Sequence, residues 1–202
     1  MESFDKEQLK KEAKKLLKIK GKTRGESYLI GLYLKKKYGR RGVKKVEEVV
    51  SEIFKKPFSF PKGRPREWYP EAKDVLIILT AKYLFNWKEK DLFDLGKFHA
   101  LHSFTIKILI KFFVSERRIF ENASDYWDKH FDFGSLEGAE FNEKERYLVL
   151  RIKGYKLHPV MCPFYRGYFY AICSCAFKGE VSVEETKCIF KGDPYHEFII
   201  KW

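Results

Sequence analysis

The period of hydrophobicity changes along this chain, and that change constrains the fold more than any single motif does. Through the first two-thirds, apolar residues return every three or four positions, as they do on helix faces. Phe4, Leu9, Ala13, Leu16 and Leu17 outline a first amphipathic helix with Ser3 as its N-cap, and residues 27–34 outline a buried second helix that stops near Gly39. Val43, Val46, Val49, Val50, Ile53 and Phe54 mark a third helix. Four prolines between Lys56 and Pro70 predict a loop. Glu71 to Phe85 then reads as a buried helix, and Leu92 through Val114 as the longest periodic stretch, with Phe98, Leu101, Phe104, Ile108, Leu109 and Phe112 on one stripe. Ser115 or Ser124 restarts a helix that carries Tyr126, Trp127 and Phe131.

Beyond that point the pattern becomes strand-like. Residues Glu140 to Lys153 read as strand around a turn at Asn142-Glu143-Lys144, a helix runs from about Pro163 to Phe177, and two last strands cover Glu180 to Phe190 and Tyr195 to Trp202. Helices first and strands later predict an α+β fold, a helical N-terminal two-thirds packed on an antiparallel sheet of order β-β-α-β-β. One domain spans 1–202, and a content of 45% hydrophobic and 17% aromatic residues is enough to fill its core. Within it, 1–65 is a basic helical region and 132–202 a lobe that contains the sheet.

Charge is segregated rather than spread. Residues 1–65 carry 20 Lys and Arg against 8 Asp and Glu, so nearly all of the net charge of +13 lies there. Residues 6–45 can therefore neutralise phosphates or an acidic protein partner, and nucleic-acid binding through the basic N-terminal helices is one alternative function; a solvated lysine-rich face is the other reading. No apolar run reaches the ~18 residues that span a bilayer, and the start Met-Glu-Ser-Phe-Asp-Lys lacks the apolar core of a signal peptide, so the expected location is the cytoplasm. Four cysteines, three of them between Cys162 and Cys175, suit metal or free thiols better than a disulfide framework.

Chemistry concentrates near the C-terminus. Cys162, Glu185, Cys188 and His196 offer two thiolates, a carboxylate and an imidazole, a donor set that Zn²⁺ accepts in a closed four-coordinate shell, with Cys175 in reserve. A Gly192-Asp193-Pro194 turn folds the strand bearing Glu185 and Cys188 back toward His196. A closed shell leaves no position for a substrate, so such a zinc is structural. The same cysteines also read as small buried hydrophobes.

The series Cys162, Gly167-Tyr168, then Glu185-x-x-Cys188-x-x-x-Gly192-x-x-x-His196 resembles the zinc-binding end of the four-vinyl-reductase domain, the small-molecule-sensing module of bacterial phenol- and xylene-responsive transcription activators. The resemblance covers about Cys162 to Trp202, with His196 standing where that family has a further Cys. It implies zinc on these four residues and a transport-particle-subunit-like α/β plait that pairs into homodimers. It also implies a pocket for a small hydrophobic or aromatic ligand between sheet and helices. Phe104, Tyr126, Trp127, Phe164, Tyr168 and Phe169 are the rings expected to line that pocket, although aromatic rings also serve simply to fill a core.

A haem-based gas sensor is a further alternative. Haem-dependent nitric-oxide sensors have a distantly similar architecture, and Phe113-x-Ser115-x-Arg117 echoes their Tyr-x-Ser-x-Arg motif with Phe in place of Tyr, while His99 and His102 lie three apart on one helix. The chain has no GxSxG, GxxxxGK[ST], GxGxxG or HExxH motif. The expected function is thus a non-catalytic, ligand-binding sensor domain.

Overall fold

The computed structural model describes residues 6–25, 27–61, 64–104, 106 and 115–202. The expectations placed on Ser3, Phe4, Ile108, Leu109, Phe112 and Phe113 lie outside the described residues. Helix α1 (Lys6–Leu16) buries Leu9, Ala13 and Leu16, the stripe its period predicts. The next two expected helices are one element, α2 (Tyr28–Phe54), kinked at Gly39, whose φ of 67° and ψ of −170° leave the helical region. Glycine lacks the Cβ that penalises positive φ, so the chain turns there and resumes its helical period.

The expected loop before Pro70 is corrected by the structure. Residues Arg64–Pro70 form strand β2, antiparallel to β1 (Lys22–Gly25), with Thr23 opposite Tyr69 and Arg24 opposite Trp68. Prolines are compatible with this two-stranded ribbon because each of its strands has a free edge. A bridge between Thr23 and Phe131 fastens the ribbon to the rest of the molecule.

Helix α3 (Glu71–Phe85) buries Val75 to Ala81 without a break, as an apolar helix with no polar face must. Helix α4 (Glu89–His102) follows. Ser115 accepts the Arg118 N–H and caps α5 (Glu116–Glu121), and α6 (Ala123–His130) comes directly after. The sheet is β3 (Ser135–Asn142), β4 (Tyr147–Lys153), β6 (His196–Lys201) and β5 (Ser182–Lys187), side by side in that order and antiparallel throughout. Helix α7 (Met161–Ala176) connects β4 to β5. The α+β class and the β-β-α-β-β order are those expected.

Two glycines set the spacing of the helices over the sheet. A Cβ on Gly96 of α4 would overlap the Phe164 carbonyl of α7, and one on Gly167 would overlap the Phe93 carbonyl of α4. The two backbones therefore touch, and side chains one turn away from each contact are held at fixed depth. Phe169 of α7 meets Phe198 of β6 with ring centroids 5.1 Å apart, which seats α7 on the sheet.

Candidate ligand cavity and C-terminal thiol cluster

Four residues far apart in sequence converge at the end of the sheet. His196 opens β6 opposite Ile152 of β4, and its Nε2 lies 3.1 Å from the Tyr155 carbonyl just beyond β4. Its Nδ1 lies 2.9 Å from Oε1 of Glu185 on the edge strand β5 and 4.0 Å from Sγ of Cys162 at the start of α7. Cys188 follows β5, its N–H donating to the Asp193 carboxylate at 2.8 Å across the expected turn, and its Sγ is 3.6 Å from that of Cys162. One donor atom from each of Cys162, Glu185, Cys188 and His196 thus lies within 4.8 Å of all the others, a grouping that can hold a metal ion. The cluster also closes on itself: both ring nitrogens of His196 lie within hydrogen-bond distance of oxygens, Glu185 Oε1 and the Tyr155 carbonyl. Burial, then the Glu185 carboxylate and Cys188, push the Cys162 thiol well up. Cys175 is exposed and takes no part.

A second site lies between the helices and the sheet, a cavity of about 50 Å³. Of the six rings expected around a ligand, Tyr126, Trp127, Phe164, Tyr168 and Phe169 line it. Phe104 does not; it follows the end of α4 and is half exposed. Tyr126 and Tyr168 hydrogen-bond through their hydroxyls, and Phe164 and Tyr168 stack 6.0 Å apart. Close packing of α4 on α7 brings His99 against both of these α7 rings, at 5.5 and 6.1 Å.

The polar groups of this cavity are unusual for so apolar a wall. His130 is buried and its Nδ1 lies 2.9 Å from the Tyr126 carbonyl, so Nδ1 carries the proton and donates. Its Nε2 then presents a lone pair, is buried, and has no partner among the described residues; Nδ1 of His99 is likewise buried without one there. Burial depresses both imidazoles, to about 4 for His130 and about 3 for His99, so both rings are neutral. On the α3 wall, Glu71 accepts from the Tyr155 hydroxyl at 2.7 Å and Asp74 from the Ser27 hydroxyl at 2.6 Å. Burial raises both carboxyls, Glu71 to about 8, helped by the neighbouring Asp74, and Asp74 to about 7.

Sequence reasoning missed Glu71, Asp74, His130 and Tyr155. The one available signal was the presence of two acids, one turn apart, at the head of a helix otherwise too apolar to have a solvated face.

The other expected residues serve the surface. His102 stacks on Phe98 at 3.8 Å, with Nδ1 against the Phe98 carbonyl. Arg117 lies 4.9 Å over the Phe141 ring, near Glu121 and Glu143, so with Ser115 capping α5 the Ser-x-Arg part of the haem echo is occupied structurally. The lysines of α1 and α2 are mostly exposed. Among the described residues no helix is long and apolar enough to cross a membrane.

No family model matches the sequence, and no curated protein matches it. Solved structures do match the fold. An H-NOX protein from S. oneidensis in the Fe(II)NO ligation state superposes with a TM-score of 0.62 at 15% identity, covering 88% of this chain and 98% of its own. A doubly substituted H-NOX protein designated Tt gives 0.62 at 13% identity over 89% of this chain and 94% of its own. A structure described under modulation of haem redox potential through porphyrin distortion gives 0.57 at 13% identity, covering 89% and 99%. The chain therefore has an H-NOX-like fold.

This likeness corrects the expected cofactor. The proteins that share the fold are described with Fe(II) or haem rather than zinc. Convergence of two thiols, a carboxylate and an imidazole that also satisfy one another does not establish a zinc ion. Zinc is withdrawn as the resident cofactor.

Proposed function

We propose that this chain is a small-molecule-binding domain of sensor type, with the ligand held in the cavity between α3, α4, α6, α7 and the sheet. The observation that carries this reading is the pair of buried imidazole nitrogens that have no partner among the described residues, in a wall rich in aromatic rings. Buried polar atoms are nearly always hydrogen-bonded, and exceptions mark places where something binds. The H-NOX neighbours, described with NO or CO as ligands, support a sensor role for the fold. Kinship with four-vinyl-reductase domains and a hydrophobic or aromatic ligand belong to the same proposal, and rest on the C-terminal motif and on the lining rings.

Haem, which those neighbours imply, meets suitable chemistry here and too little room. The His130 imidazole has its Nδ1–H held by a carbonyl and the Nε2 lone pair free, as a ligand to iron requires. The space is the obstacle: about 50 Å³ is far below the ~300–1,000 Å³ of sites for drug-sized ligands, and the rings of Tyr126, Phe164 and Tyr168 line what remains. Haem does not fit as these side chains are packed, so no role is derived through it. A compact ligand fits. An apolar cavity of ~150 Å³ admits benzene, which sets the scale for a molecule of a few heavy atoms here.

Binding then follows from the residues present. Aromatic rings exclude water and supply apolar contact, Nε2 of His130 accepts one hydrogen bond, and the α3 carboxyls supply further polar contacts. The test is side-chain NMR of the two imidazoles during titration with compact molecules, together with mass spectrometry of organic compounds extracted from natively purified protein. Saturable shifts of the His130 and His99 ring nitrogens are expected. Rings unmoved by every compound, with nothing extracted, would refute the reading.

For Cys162, Glu185, Cys188 and His196 the proposal is a structural clamp between α7 and the β5–β6 hairpin, with donor atoms close enough together to hold a metal ion. Their mutual distances support it. Elemental analysis and melting before and after chelation check it: melting unchanged by complete metal removal would leave hydrogen bonds as the whole clamp.

A further inference from the structure

We infer that the cavity selects a small organic ammonium ion, with Glu71 and Asp74 of α3 as its counter-charge and Nε2 of His130 as a hydrogen-bond acceptor. This rests on the reading of the cavity as a ligand site and specifies what enters it.

Three observations lead to this class. First, Glu71 is 4% exposed and forms no ion pair among the described residues, and neither does Asp74 one turn along. A buried carboxyl such as Glu71, with the partly buried Asp74 beside it, is costly without an ion-pair partner whether it ionises or stays protonated, and in proteins such groups are normally paired. Second, the free hydrogen-bonding capacity fixed by geometry is accepting. His130 has spent its one N–H on the Tyr126 carbonyl and keeps a lone pair, so the complementary ligand donates. Third, aromatic rings, including Tyr126, Trp127 and Tyr168, whose faces attract cations, line much of the wall.

The groups that face the acid pair are Thr23 and Arg24 of β1, Ser27, Lys73 of α3, Tyr155 and the two imidazoles. Arg24 does not supply the missing charge. Its Nε donates to the Lys129 carbonyl at 3.1 Å and its guanidinium lies 4.2 Å over Trp68, a ring at the surface. A metal ion is a poorer occupant, because among the described residues His, Cys and carboxylate atoms converge tightly enough for one at the C-terminal cluster and not here. Volume limits the ammonium to roughly two to four heavy atoms.

The charge balance is simple. Without a ligand burial favours the protonated form of both acids, and the neighbouring Asp74 adds to this for Glu71. Entry of an ammonium ion lets a carboxyl ionise against it, and the displaced proton leaves to solvent.

Calorimetric titration of the full chain with ethylammonium chloride, and with ethanol as the neutral analogue of like size, tests the proposal. At about pH 7, ethylammonium is expected to bind at least about tenfold tighter than ethanol, and to weaken by up to about tenfold per pH unit toward pH 5 as protons compete. The double variant Glu71→Gln, Asp74→Asn should lose this preference while a cooperative melting transition shows that it is folded, and a folded double variant that still prefers ethylammonium would overturn the assignment of these acids. Ethanol binding as tightly as ethylammonium would overturn the ammonium assignment and leave the cavity reading standing. Binding of neither would overturn both.

Discussion

Four titratable side chains around the cavity set the pH range in which the molecule is most stable. Glu71 and Asp74 are raised from 4.5 and 3.8 to about 8 and about 7, and His99 and His130 are lowered from 6.5 to about 3 and about 4. Between about 4.5 and 6.5 the folded state holds two protons on the acids and the unfolded state two on the imidazoles, so stability is flat there. Above 6.5 the unfolded chain has lost its imidazole protons while the folded acids keep theirs, and stability falls as pH rises through the folded carboxyl values. Below 4.5 the unfolded chain holds protons on all four groups, and stability falls as pH drops toward the folded imidazole values. Urea unfolding across about pH 3 to 9 checks this plateau. Glu71→Gln should remove much of the loss above pH 6.5 and leave the acid limb unchanged; an unchanged alkaline limb would contradict the buried, protonated state of Glu71.

Individual elements are positioned by a few contacts that admit no substitute. Gly96 and Gly167 let α4 and α7 touch backbone to backbone, so Gly96→Ala or Gly167→Ala must push the helices apart. Each should cost about 3 kcal/mol in chemical denaturation, the upper end of overpacking effects, and shift the imidazole resonance of His99, which rides one turn from the contact. The hairpin of β5 and β6 depends on the thiol cluster. His196→Ala removes the partner of Glu185 and of the Tyr155 carbonyl, with an expected loss of about 2–4 kcal/mol and selective loss of amide-exchange protection in the edge strand β5. Uniform loss across the sheet would instead point to a global effect.

At the scale of the whole molecule, the net charge of +13 is held mainly by lysines and arginines in the first 65 residues of the sequence, most of the described ones exposed. Few of them are paired: in α1 and α2 the described ion pairs involve Lys6, Lys10 and Lys37. Self-repulsion should therefore be relieved by salt. Raising ionic strength from about 0.01 to 0.15 M, which shortens the screening length from about 30 to 8 Å, is expected to raise the melting temperature. A fall on adding salt would mean that attractive pairs dominate instead.

Periodicity alone determined the class of this protein, because burying one face of a helix or strand leaves a local mark in sequence. The stripe Leu9, Ala13 and Leu16, the apolar run of α3 and the order β-β-α-β-β were all legible in that way, and of the six rings that the family resemblance suggested around a ligand, five do line the cavity. The four residues of the thiol cluster could be named from their chemistry, but chemistry does not say whether they close on an ion or on each other. Tertiary structure alone decided the rest. Pairing of Lys22–Gly25 with Arg64–Pro70 joins segments far apart in the chain with no alternation to announce it, and the merging of two helices through Gly39 depends on a backbone angle. His130 and Glu71 are ordinary polar residues in sequence; burial, which only the packed molecule supplies, leaves among the described residues one imidazole nitrogen without a hydrogen-bond partner and one acid without an ion pair.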